Sequence, residues 1–256
     1  MSKFLPAFGQ VLRYLRTLLV LCSLLLLALS LPAQAATRIN PQLEEQILQV
    51  IRQHPEVIIE SVQAYQQQQA QKVQKERQAF LEDLKTNPQA VIADSPTTGA
   101  SNSKTLLIEF SDFQCPYCAE AHQTLKKLLA KHQKDVKLVY KHFPLTPIHA
   151  EAMPAATAAW AAQQQGKFWE YHDALFTNQN KLGESLYVNI AKKLNLDLAK
   201  FQTDRRIANT AIAQDLQLAE KLGLSGTPSF IINSETFSGA IQLSDLEDIL
   251  ARANNY

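Results

Sequence analysis

Cysteine is scarce in this chain. Cys22, Cys115 and Cys118 are the only three in 256 residues, too few for a disulfide framework. Methionine is scarcer still, with Met1 and Met153 alone, so no methionine-rich tract exists to bind a soft metal. An excess of one charge sign is also missing: 25 basic against 24 acidic residues leave a formal charge of +1. Phosphate backbones require a strong basic excess, so nucleic acid is excluded as the main partner. Long hydrophobic runs are limited to Thr17–Leu31, which at 15 residues falls short of the ~20 that a spanning helix needs. No internal repeat is present. The apolar fraction of 46% is nevertheless enough for a real core.

The apolar run has a place in the chain's organisation. Lys3, Arg13 and Arg16 precede it, and Ala33-Gln34-Ala35 follows as a small-x-small cleavage site. Residues 1–35 therefore read as a secretory signal, cleaved near Ala35-Ala36. An uncleaved anchor is the competing reading. A lipoprotein at Cys22 fits less well, because Leu21 is bulky where a small residue is required. Cleavage removes three basic and no acidic residues, leaving 22 against 24 and a mature charge of −2. It also removes Cys22, so both remaining cysteines lie in one C-x-x-C. The expected location is the periplasm or another extracytoplasmic compartment, where disulfides persist.

Residues 36–85 read as a helical arm. Leu43, Ile47, Val50 and Ile51 lie at helical spacing, Pro55 punctuates, and a second helix begins near Val57. Its middle, from Gln66 to Arg77, is too polar for a core helix. It is either a solvated arm or a weak oligomerising seam. Residues 86–103, with Asn87-Pro88, Ser95-Pro96 and Gly99, read as a linker. Beyond them Thr105–Phe110 and Val136–Tyr140 read as strands flanking a helix over Cys115–Lys131. Residues 149–222 form a helical block. Ser229–Ile232 begins a hairpin that turns near Asn233-Ser234. Ser244, as N-cap with Glu247, opens a closing helix.

The chemistry concentrates at Cys115-Pro116-Tyr117-Cys118. A helix start presents unpaired N–H groups and a positive dipole end, which stabilise a thiolate at the first cysteine. Cys115 would then attack or be attacked, and Cys118, one turn inward, would resolve the mixed disulfide. Pro116 suits a first helical position because it has no N–H to leave unpaired. A zinc site would need four ligands, and His122, His142 and His149 offer no recognisable spacing. A purely structural disulfide would close too small a loop to stabilise much. No cofactor and no metal are expected. Gly226-Thr227-Pro228 directly before an apolar strand is compatible with a cis or an ordinary trans proline.

These residues resemble the DsbA-like branch of the thioredoxin superfamily. The likeness runs through Glu109–Cys118, His142-Phe143-Pro144-Leu145, Gly166-Lys167-Phe168-Trp169 to Phe176, and Gly226–Phe230, over residues 104–256. It implies an α/β thioredoxin fold with an inserted helical domain, preceded by the N-terminal helical arm. It implies that Pro228 is cis and faces the cysteines, with Thr227 beside the attacking sulfur. It implies a proton relay to Cys118 at Glu109, against the alternative of a surface-facing strand end. Two positions depart. His122 stands where the branch has a second acidic residue, and Tyr117 stands where DsbA has histidine. The arm is similar in character to that of oligomeric ScsC-type relatives. The expected function is a protein disulfide oxidoreductase that introduces disulfides into exported proteins with cysteines and is reoxidised by a membrane redox partner. The alternatives are a homo-oligomeric isomerase or reductase working through the arm, or a metal-binding protein.

Overall fold

A computed structural model describes residues 16–21, 23, 40–101, 103, 105–232, 235–239 and 241–253. Most of the signal segment, its cleavage site, Cys22 and the turn at Asn233-Ser234 lie outside the described residues. Among the described residues, no helix is long and apolar enough to cross a membrane. The chain divides into two units, Met1–Ala64 and Tyr65–Tyr256.

In the first unit, α1 (Pro41–Gln53) starts at Asn40, whose side chain accepts a hydrogen bond from Gln42 N at 3.0 Å, with Pro41 at the first helical position. Pro55 opens α2 (Pro55–Thr86), which runs on into the second unit. Leu43, Ile47, Ile51, Ile58 and Val62 are all exposed, so neither helix buries its apolar side here.

The second unit is built on a five-stranded sheet. Its strands are β1 (Thr97–Gly99), β2 (Thr105–Ser111), β3 (Val136–His142), β4 (Ser229–Ile232) and β5 (Glu235–Ser238), in the spatial order β1-β3-β2-β4-β5. Only β2 and β3 run parallel, joined through α4 (Pro116–Lys131), which gives the βαβ unit. Every residue of β2 is buried. Both faces of the sheet are covered, which is why Leu106, Leu107 and Ile108 read as an unbroken apolar run rather than an alternating one. Alternation still sorts the side chains. Leu107 packs with Leu125, Leu128 and Leu246 on one face, while Ile108 and Phe110 pack with Phe80, Leu84 and Leu222 on the other. Glu109 shares the Leu107 face and therefore lies beneath α4.

Between β3 and β4 lie α5 (Ala152–Gln163), α6 (Phe168–Thr177), a short 3-10 turn (Gln179–Lys181), α7 (Glu184–Lys193), α8 (Leu198–Ile207) and α9 (Asn209–Lys221). The alanine face of α5 is fully buried against this helical layer. The chain closes with α10 (Leu243–Ala253) over α4.

Two local expectations need correction. Residues 86–103 carry a helix, α3 (Pro88–Ile92), and the edge strand β1. Asn87-Pro88 is a helix start, with the Asn87 side chain accepting from Ala90 N, rather than a break. Gly99 has φ +89, and a Cβ there would lie 2.3 Å from Val136 O, so this breaker residue is what lets β1 lie against β3. Ser244 does not cap α10. Its helix already includes Leu243, Asp245 accepts from Gln242 N at 3.4 Å, and Glu247 pairs with Lys131 at 3.0 Å.

Candidate active site

The chain leaves β2 at Ser111 and turns through Asp112–Gln114 into α4. Cys115 is the N-cap of that helix, with φ −72° and ψ 122°. Its N–H donates to Asp112 O at 3.1 Å, and Cys118 N donates back to Cys115 O at 3.1 Å. Pro116 occupies the first helical position. Pro116 and Tyr117 are exposed, while Cys115 is 4% exposed and Cys118 fully buried. Both thiols are free. Both cysteines are thus buried, with Cys115 marginally the more exposed of the two.

The Thr227-Pro228 peptide is cis. Thr227 O lies 3.3 Å from Cys115 Sγ, which donates to it. The Thr227 hydroxyl is buried and has no partner among the described residues. Ser229 Oγ fastens this loop by donating to Gly226 O at 2.7 Å.

The two sulfurs differ sharply in acidity. Cys115 is lowered to about 5, chiefly by a hydrogen bond from the Cys118 thiol, against the opposing effect of burial. The N–H groups of Cys118 and Tyr117 add to the lowering, and so does the nearby Thr227 hydroxyl, although it falls short of a formed hydrogen bond. Cys118 is held well above the usual thiol range by burial, then by the facing Cys115 and by Glu109. The two titrate as a pair, and the first proton lost belongs to the outer sulfur.

Glu109 is 1% exposed, so it is no surface-facing strand end. Burial raises its carboxyl to about 7. The Ser111 hydroxyl pulls the other way, but it falls short of a formed hydrogen bond, so burial dominates. Glu109 Oε1 has no partner among the described residues.

Two supporting residues were not singled out in the sequence. Asp112 is buried and accepts from Gln114 N (2.7 Å), Leu145 N (3.0 Å) and His149 Nδ1 (2.7 Å), tying the cysteine turn to the loop after β3. Gln179 Nε2 donates to both Phe113 O and Cys115 O at 2.9 Å, clamping the same turn from the helical insertion. Asp112 lies inside the Glu109–Cys118 motif, but its role appears only in the folded contacts. Gln179 carries no sequence signal, because its contact spans 64 residues. Replacing Asp112 with alanine strips the partly buried His149 imidazole and two N–H groups of their acceptor. We expect a loss of about 3–5 kcal/mol of unfolding free energy, measured by urea titration of the oxidised protein.

Comparison with known proteins agrees with this architecture. A sequence profile described as thioredoxin matches residues 92–252. A second, described as the copper resistance protein ScsC N-terminal domain, matches residues 50–72. A thioredoxin-like oxidoreductase from Silicibacter pomeroyi DSS-3 is similar at 32% identity and TM-score 0.61, covering 67% of this chain and 99% of that one. The catalytic domain of Proteus mirabilis ScsC is similar at 27% identity and TM-score 0.60, covering 70% and 99%. The thiol-disulfide exchange protein alpha-DsbA2 from Wolbachia pipientis, at 21% identity and TM-score 0.59, covering 69% and 96%, shares the fold. The Na(+)/H(+) antiporter NhaA 3 of Salinispora tropica is 38% identical over 151 residues, which are 58% of this chain but 23% of that protein. The chain spans about a quarter of the length of such curated relatives. With a parallel β2-α4-β3 unit, a helical insertion and a family match over residues 92–252, the chain belongs to the thioredoxin family.

Proposed function

We propose that the protein is an exported dithiol oxidase, which passes the Cys115–Cys118 disulfide to cysteine pairs in other exported proteins. The observation that carries this reading is the split in acidity, with Cys115 near 5 and Cys118 far above it. A stabilised Cys115 thiolate favours the reduced form, which makes the oxidised form a better donor. In the forward reaction a substrate thiolate attacks Cys115 Sγ. The intramolecular S–S bond breaks, and Cys118 leaves as a thiolate that takes up a proton. The substrate's second thiolate then attacks the mixed disulfide, forming the substrate S–S bond and releasing Cys115 as thiolate. Two electrons pass to the enzyme and leave through a membrane redox partner.

Glu109 supplies the proton to Cys118 in this scheme, and Thr227, Pro228, Pro116 and Tyr117 receive the substrate. The exposed Pro116 and Tyr117 and the Thr227 carbonyl support that placement. Export rests on the N-terminal reading, and a similar Salmonella enterica protein at 25% identity is described as periplasmic. The deciding experiment equilibrates the protein with glutathione buffers. A reduction potential well above the ~−270 mV of thioredoxin is expected, and a value near it would overturn the oxidase direction.

A second reading, an oligomeric isomerase, is favoured by the exposed Leu43, Ile47, Ile51, Ile58 and Val62 of α1 and α2 and by the match over residues 50–72. A second copy of the chain is the occupant proposed for this apolar side. Sedimentation should then show an oligomer that Ile47→Glu with Ile58→Glu dissociates. A monomeric parent protein would remove this reading.

A further inference from the structure

One cluster outside the cysteine pair is built like a ligand site. His122 sits on α4, one turn beyond Cys118, and His172 and Asp173 sit on α6. His122 and His172 are 4% and 3% exposed. His172 Nδ1 lies 3.1 Å from Asp173 Oδ1, and His122 Nε2 lies 3.7 Å from the same oxygen. One donor atom from each of the three residues falls within 4.8 Å of the others. Tetrahedral zinc, with bonds of ~2.0–2.1 Å to nitrogen and oxygen, sets neighbouring ligand atoms roughly 3.3 Å apart. The two measured separations bracket that value.

Two further observations point to an occupant. His122 Nε2 is buried with no hydrogen-bond partner among the described residues, a costly arrangement for an imidazole nitrogen that has nothing to bind. The three residues also line a cavity of about 190 Å³, shared with Glu109 and Trp169, which leaves room for a fourth, non-protein ligand. Lys126 Nζ lies 3.3 Å from Asp173 Oδ2, the other carboxylate oxygen, and is exposed enough to swing away. The aromatic setting, with Phe176 stacked on His122 and His172 edge-on to it, holds the rings in place.

We propose that His122, His172 and Asp173 bind one zinc-class divalent cation, with the fourth coordination position opening into the cavity. Such an ion clips the active-site helix α4 to the insertion helix α6. The proposal is independent of the redox reading, and it lies outside residues 50–72, where the copper-resistance profile matches.

The test is calorimetric titration of Zn²⁺ into the untagged, oxidised protein, whose disulfide removes both thiols as ligands. One Zn²⁺ per chain is expected, with affinity falling at least tenfold in Asp173→Asn and in His122→Gln. Circular dichroism and unchanged alkylation of Cys115 after reduction show that each variant is folded. Asp173 is half-exposed, so its variant stands alone if His122→Gln fails to fold. No zinc binding by the oxidised parent, or binding that Asp173→Asn retains in full, overturns the proposal.

Discussion

Cys115→Ser should lower thiol–disulfide exchange on the order of a thousandfold or more, equivalent to about 4 kcal/mol in the barrier. The expectation follows from where the reactive charge sits. Cys115 alone combines a helix N-terminus, a pKa lowered to about 5 and a position between the exposed Pro116 and the Thr227 loop. Serine keeps the shape but ionises far too weakly to replace a thiolate. Cys118→Ala is expected to behave differently. It leaves the nucleophile in place and removes the resolving sulfur, so covalent complexes through Cys115 should accumulate and be visible on non-reducing gels. The pH dependence gives a second reading of the same assignment. Alkylation of the reduced protein should stay fast at pH 7 and fall as the pH drops through about 5, where the outer thiolate takes up its proton. Fast alkylation confined to pH above 8 would assign the low value wrongly. The lowered pKa also makes the reduced form's stability sensitive to acid. That contribution is present above the ordinary thiol range and is lost as the pH falls through the folded value.

Glu109→Gln should stabilise the reduced protein at pH 8 by up to about 3 kcal/mol. The carboxyl is fully buried, and its proton affinity rises from the ordinary 4.5 to about 7 on folding. Between those two values the folded state holds a proton that the unfolded state has lost. Stability from this group is therefore complete below pH 4.5 and declines as the pH rises through 7. Above that, a charge remains in an apolar site, and the amide does not carry it. Parent and variant should converge below pH 4.5 in urea titrations. The kinetic effect runs the other way. Without the carboxyl, Cys118 loses the acid proposed to serve it, and resolution of a mixed disulfide should slow by about 10²-fold, within the usual span of acid–base catalysis. A variant that gains stability without slowing would leave Glu109 as a strained bystander.

Much of this site is legible from the chain. The C-x-x-C is a local pattern, and Thr227-Pro228 gains meaning by preceding an apolar strand. The run Thr105–Phe110 declares a buried strand because both sheet faces are covered. What the chain conceals are relations set by distant contacts. The strand β1 is only Thr97-Thr98-Gly99, polar and three residues long, so its identity comes from pairing with Val139, Leu138 and Lys137 rather than from its own pattern. Gln179 becomes part of the active turn only when the insertion folds over it. His122 departs from the family pattern, and its neighbours His172 and Asp173 lie 50 and 51 residues further along the chain. The burial of Glu109 depends on strand alternation combined with which face α4 covers, and the second of those is a tertiary fact.

The contact between Cys115 and Thr227 has a consequence in the counting of protons. A thiol has one hydrogen to give, and here Thr227 O receives it at 3.3 Å. When that hydrogen departs, sulfur and oxygen confront each other as two electron-rich atoms with nothing between them. The Thr227 hydroxyl, otherwise idle, can turn its hydrogen toward the sulfur, but the carbonyl is left wanting a donor. An extended polypeptide laid along the loop carries such a donor in every peptide unit except proline. The sulfur loses that hydrogen on ionising and equally on entering a disulfide, so under the proposed function the Thr227 carbonyl stands open to a substrate main chain in both forms of the pair.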